Sequence, residues 1–94
     1  MAVLSIMKVQ GDADELMERM ARMREVAARK AKEYNGVASI VARTDDGIMI
    51  VNLWADDEGR HKMADDPEMR EQIESAGLRP DFEAYEVLTY GLVD

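Results

Sequence analysis

GVASIVARTDDGIMIVNLW, residues 36–54, is the stretch on which the fold turns. Two strand-like runs, 37–43 and 48–54, flank Thr44-Asp45-Asp46-Gly47. Asp-Gly between apolar runs is a strong hairpin signal, because both central positions of a type I′ turn need positive φ. A two-residue Asp46-Gly47 loop pairs Asp45 with Ile48, Val41 with Asn52 and Ser39 with Trp54. A four-residue loop shifts the partners but keeps the parity, so the faces of the hairpin stay the same.

Upstream of the hairpin, residues 2–9 (AVLSIMKV) are apolar and partly β-branched, and Gln10-Gly11 closes them as a buried strand. Asp12 with Glu15 three residues on has the spacing of a capping box, with Asp in place of Ser or Thr. Leu16, Met20, Met23, Ala27, Ala31 and Tyr34 then recur on one stripe of a single long helix, which Asn35-Gly36 stops. Downstream, Ala55-Asp56-Asp57-Glu58 opens a second helical stretch. Asp66-Pro67 interrupts and restarts it, since Asp is a good N-cap and Pro a good first helical residue, and residues 67–76 form a piece that ends at Gly77. Beyond Pro80, the alternation of Phe82, Ala84, Leu88, Tyr90 and Leu92 predicts a last strand over 82–92.

Ninety-four residues make one domain, 1–94, with no room for two cores. A chain of this size buries only about 60–65% of the surface that its unfolded form exposes, which makes help from a partner subunit an expectation. No cysteine is present, so disulfides, zinc fingers and iron–sulfur clusters are excluded. Twenty acids against twelve Lys plus Arg give a net charge of -8, which repels nucleic acid and anionic membranes. The first apolar run ends at Lys8 and is followed by Asp12, Asp14 and Glu15, unlike a secretory signal. No apolar run approaches the roughly 18 residues of a membrane helix, and a cytoplasmic location is expected.

The order strand, helix, strand, strand, helix, strand is the ferredoxin-like βαββαβ arrangement, an α+β fold with both helices on one face of a four-stranded antiparallel sheet. Parity places Leu4, Ile6, Ala38, Ile40, Ala42, Met49, Val51, Leu53 and Leu88 on one face. Val3, Ser5, Met7, Val37, Ser39, Val41, Ile48, Ile50, Asn52, Trp54, Tyr85, Val87 and Thr89 fall on the other. Neither face has the charged alternation of a solvated sheet, and the helices can cover only one. A homodimer with its two sheets face to face covers the second. Parity leaves open which face meets the helices.

Strand, long capped helix, Asp-Gly hairpin, Val-Asn-Leu-Trp at the end of the third strand, a helix broken at Asp-Asp-Pro-Glu and a final strand together resemble the antibiotic biosynthesis monooxygenase family. The likeness runs along essentially all 94 residues, and Trp54 is its most specific element. The resemblance implies a dimeric α+β barrel, an oxygenase that uses no cofactor, and a cavity between sheet and helices lined by Trp54 with Asn52 nearby. The superfamily also holds quinol monooxygenases, haem-degrading enzymes, lactone isomerases, polyketide-tailoring proteins and many uncharacterised members, and a non-catalytic homodimeric ligand-binding or stress-related module is the alternative.

Trp54 and Asn52 share a strand face with Ser39, Ser5, Tyr85 and Thr89, an apolar surface dotted with short hydrogen-bonding groups. Such a surface suits either a substrate pocket or a core whose polar groups satisfy one another. Asn52 is the candidate for orienting a substrate oxygen. His61, the only histidine, falls about two turns into the second helix and is either a base for substrate ionisation or a surface residue beside Arg60 and Lys62. Tyr34, at the end of the long stripe, is a further candidate hydrogen-bond donor. The eight methionines are flexible fillers that also suit a plastic pocket. Arg19, Arg22, Arg24, Arg29, Lys30 and Lys32 read as the solvated face of the long helix. The clusters Asp56-Asp57-Glu58 and Asp65-Asp66-Glu68 sit where acids favour helix N-termini, and neither metal nor cofactor is assigned.

Overall fold

The structure is a computed structural model that describes residues 1–93. Its elements are β1 (Val3–Gln10), α1 (Ala13–Arg19), α2 (Ala21–Glu33), β2 (Gly36–Arg43), β3 (Gly47–Trp54), α3 (Asp57–Asp65), α4 (Pro67–Ser75) and β4 (Asp81–Glu86). Three aspartates start helices as their positions in the sequence require. The carboxylates of Asp12, Asp56 and Asp66 accept backbone N–H bonds from Glu15 (2.9 Å), Gly59 (2.6 Å) and Met69 (3.0 Å).

The expected single long helix is two. Its apolar stripe bends at Met20, which is fully buried, while the bonds Met20 N–H to Leu16 O (2.9 Å) and Arg24 N–H to Met20 O (2.8 Å) carry the chain across the joint. The bend arises because the halves have different partners: α1 packs on β3, and α2 packs on α4 and β2.

The hairpin takes the four-residue connection, with Arg43 opposite Ile48, Val41 opposite Ile50 and Ser39 opposite Asn52. None of its loop residues has positive φ, so the type I′ reason for Asp-Gly does not hold. Gly47 is required by a close approach instead: a Cβ there would stand 1.9 Å from the Val9 carbonyl oxygen.

The strands form one sheet in the order β2-β3-β1-β4, all neighbours antiparallel, as expected for the ferredoxin-like topology. Directly opposite residues share a face. Facing the helices, Ser39, Asn52, Ser5 and Ala84 form one row, and Val41, Ile50, Met7 and Phe82 the next. The core fills this side with Val9, Leu16, Met20, Met23, Ile48, Met69 and Leu78. The other face carries the rows Ala38, Leu53, Leu4, Tyr85 and Ile40, Val51, Ile6, Glu83, and no helix covers it. Its aliphatic centre is only half-buried, and Ile40 is 61% exposed.

The last strand is shorter than predicted, ending at Glu86 rather than at residue 92. Glu86 lies opposite Val3, where β1 begins, and the Val87 N–H bond to Ala2 O is the last between the two segments. Leu88, Leu92 and Val93 are left exposed. Among the described residues no helix is long and apolar enough to cross a membrane.

Candidate functional site

The stripe of α1 and α2 shrinks along its length, from Leu16, Met20 and Met23 to Ala27, Ala28 and Ala31. The large residues fill the first half of the space over the sheet, whereas alanine methyls leave the second half open. The result is a cavity of about 1090 Å³ between the helix-facing side of the sheet and α2, α3 and α4. Met7, Val41, Ile50, Met63 and Ile73 give it apolar walls, and the row of Ser39, Asn52 and Ser5 crosses its floor. A few polar groups in a largely apolar hollow of this kind fix a ligand's orientation while burial supplies affinity.

Trp54 ends β3 at the edge of that row, 3% exposed, and its indole Nε1 donates to Ser5 Oγ at 2.9 Å. A serine hydroxyl that accepts one bond retains its own O–H, so Ser5 can still donate to a ligand oxygen. The Asn52 side chain makes no hydrogen bond within the described residues, and its amide can both donate and accept. Ser39 lines the same cavity from the exposed strand β2. Four of the predicted residues, Trp54, Asn52, Ser5 and Ser39, are therefore brought together.

Tyr85, His61 and Tyr34 are not. Tyr85 lies opposite Leu4, not Ser5, so it stands on the outer face, where its hydroxyl donates to Glu83 Oε2 at 2.7 Å and its phenol is raised by that carboxylate. A crossover through two helices, unlike a tight hairpin, leaves the parity of β4 free, and packing sets it. His61 projects to solvent from α3, with Nε2 3.0 Å from Asp57 Oδ2 and 3.0 Å from Arg60 Nη2. It is placed to pair with an acid, away from any substrate in the cavity.

Tyr34 donates instead to Asp66 Oδ2 at 2.6 Å, and Lys30 Nζ reaches the same oxygen at 3.0 Å. The Tyr34 hydrogen bond, the Met69 N–H and Lys30 hold the buried Asp66 carboxyl at about 2, and the same contacts raise Lys30 and Tyr34. This cluster joins the end of α2 to the start of α4 and so fixes the width of the cavity. The acidic segment at Asp66 is structural.

The residues that the sequence reading missed are Arg24, Arg60, Arg70 and Glu74, all of which line the cavity. The basic face of the long helix is solvated as expected at Arg19, Arg22, Arg24, Arg29 and Lys32, and only Lys30 is partly buried, on Asp66. Arg19 Nε donates to the Ala76 carbonyl at 3.1 Å and its Nη2 reaches the same oxygen, Arg29 pairs with Glu68 at 2.6 Å, and the exposed Arg24 also lines the cavity. The available signal was angular: Arg24, Ala28 and Ala31 lie within one narrow sector of a helix at 3.6 residues per turn. Among the described residues no group of three or more His, Asp or Glu comes together as a metal site.

No protein-family model matches the chain, and no curated protein matches it at a significant level. Solved structures do resemble it. SnoaB, a cofactor-independent oxygenase from Streptomyces nogalater, aligns with TM-score 0.68 and 16% identity over 95% of this chain and 93% of its own. A protein from Deinococcus radiodurans, provisionally described as an antibiotic biosynthesis monooxygenase, gives 0.71 and 13% over 100% and 99%. A dimeric ferredoxin-like protein of unknown function from Jannaschia sp. CCS1 gives 0.72 and 11% over 93% and 100%. At these identities the likeness establishes a shared ferredoxin-like α+β fold.

Proposed function

We propose that this chain is a cofactor-independent monooxygenase acting on an aromatic, polyketide-like substrate held in the cavity above Asn52, Ser5 and Trp54. The observation that carries the reading is the cavity itself: about 1090 Å³, apolar-walled, with a polar row at its floor and Trp54 at its edge. In such a reaction the ionised substrate supplies the electron to oxygen. The protein must then exclude bulk water, orient the substrate and stabilise the anion. Asn52 and the Ser5 hydroxyl would orient a substrate oxygen, and Trp54 would bound the pocket beside the ring and hold Ser5 through its N–H. His61 has no part in this scheme, because it stands in solvent on Asp57. Of the two lining carboxylates, Glu83 is held by Tyr85 and Lys8, and Glu74 serves as the proposed proton acceptor.

Oxygen uptake with anthrone or dihydroxyaromatic substrates tests this directly. Trp54→Ala and Asn52→Ala should each lower kcat/KM by about tenfold or more, while His61→Ala should leave it unchanged. No uptake by the parent chain, with the aromatic still bound, would favour the non-catalytic binding module. That second reading draws on the cavity's lack of a lining histidine or tyrosine among the described residues.

The same proposal includes a homodimer. The outer rows of Leu4, Ile6, Ile40, Val51 and Leu53 form an uncovered aliphatic surface on the side away from the cavity, and similar structures include proteins described as dimeric. Two sheets packed through that surface bury it and leave both cavities open.

A further inference from the structure

We propose that Arg24, Arg60 and Arg70 make the mouth of the cavity selective for anions, so that its ligand is a flat aromatic molecule bearing a carboxylate. The proposal rests on the reading of the cavity as a site for an aromatic ligand, and it specifies that ligand's charge. In the whole chain acids outnumber Lys plus Arg by twenty to twelve. Around the cavity three arginines meet Glu74 and Glu83; Arg60 and Arg70 are paired with Asp57 and Asp65, and Arg24 has no such partner among the described residues. Glu83 is engaged elsewhere: Oε2 accepts from the Tyr85 hydroxyl at 2.7 Å, and Oε1 is 4.0 Å from Lys8 on the outer face.

Each arginine retains unused donors. Arg60 Nε is 2.8 Å from Asp57 and its Nη2 is beside His61, while Arg70 uses Nε on the Ala64 carbonyl and Nη2 on Asp65. A guanidinium has five N–H groups, so neither is exhausted. Arg24 carries no ion pair or side-chain hydrogen bond among the described residues, as is also true of Arg22 and Lys32 on the same helix, but of these three only Arg24 lines the cavity. It stands one turn before Ala28, and the two exposed residues line the cavity together. Arginine matches a carboxylate with two parallel N–H bonds, and beside apolar walls such a pair is less screened than in open water. The field of a chain at -8 penalises a dianionic phosphate more than a singly charged carboxylate.

Trp54 is the only tryptophan, so its fluorescence reports occupancy of the cavity. The full chain is titrated with an anthraquinone carboxylate and with its neutral carboxamide, at low and high salt. The carboxylate should bind about tenfold or more tightly, with a preference that weakens as salt rises. Arg24→Gln, and more completely Arg24→Gln with Arg70→Gln, should bring the two affinities to within about twofold of each other, with carboxamide binding and thermal unfolding unchanged. Equal affinities in the parent chain, or a preference that survives both substitutions, would overturn the anion selectivity and leave the aromatic site standing. Failure of both compounds to change Trp54 emission would overturn the aromatic site and this inference with it.

Discussion

A Cβ placed on Gly59 would stand 1.9 Å from the Tyr34 carbonyl oxygen, closer than any two such atoms can come. The turn after α2 therefore docks directly on the first turn of α3, helped by Asn35 Nδ2 donating to Asp56 at 3.2 Å and Ala55 N–H to Asn35 O at 2.9 Å. Gly59→Ala should cost about 3 kcal/mol in a denaturant melt, because backbone rather than a flexible side chain must move. Trp54→Phe keeps the ring and removes the N–H, so Ser5 loses the bond that orients it. The stability cost should be about 1 kcal/mol, with a larger proportional loss of ligand affinity measured by calorimetry. Single positions also mark the limit of reading from sequence. Trp54 and Asn52 could be placed by their parity in a hairpin, whereas Tyr85 could not. Only the alternation of Glu83 and Tyr85 against Phe82 and Ala84 hinted that Tyr85 faces outwards.

Helix α2 determines the cavity and α4 closes it. Replacing Ala28 by Leu fills space that no other side chain uses, so Ala28→Leu should leave the melting temperature unchanged or raised while weakening aromatic binding about tenfold. Asp66 links the two helices: it caps α4 through Met69 N–H and accepts from Tyr34 and Lys30 of α2 and its C-cap. Asp66→Ala should cost about 2–3 kcal/mol, because a cap and a buried ion pair are lost together and Lys30 can only fall back on Glu68. The acid sensitivity follows from the same carboxyl. Its folded value, about 2, lies below the ordinary 3.8, so its contribution is present above pH 3.8 and disappears as pH falls towards 2. Urea midpoints measured across that window should fall more steeply for the parent than for Asp66→Asn. Helix starts were readable because Asp-x-x-Glu and Asp-Pro act locally. The bend at Met20 was not, since it reflects which neighbours α1 and α2 find after folding.

The aliphatic outer face bears on assembly. Light scattering at micromolar concentration should show a dimer, and Ile40→Lys with Val51→Lys should yield a folded monomer, because both side chains point away from the cavity and its core. A monomeric parent chain would remove the reason for two apolar faces on one sheet. The exposed Leu88, Leu92 and Val93 follow the last hydrogen bond between β1 and the C-terminal segment, so deletion after Val87 should leave the cavity and its Trp54 emission intact.

Local patterns in the sequence were enough to specify the order of strands and helical stretches, the helix start at Asp12 and restart at Asp66, the hairpin faces and the presence of two apolar sheet surfaces. Each depends on interactions between residues a few positions apart, or on the alternation of side chains along a strand. The tertiary structure alone decided which surface lies under the helices, on which side β4 displays Tyr85, and that His61 faces water. Those outcomes depend on how segments far apart in the chain pack and rotate against one another. Periodicity constrains the faces of each segment but not their mutual orientation.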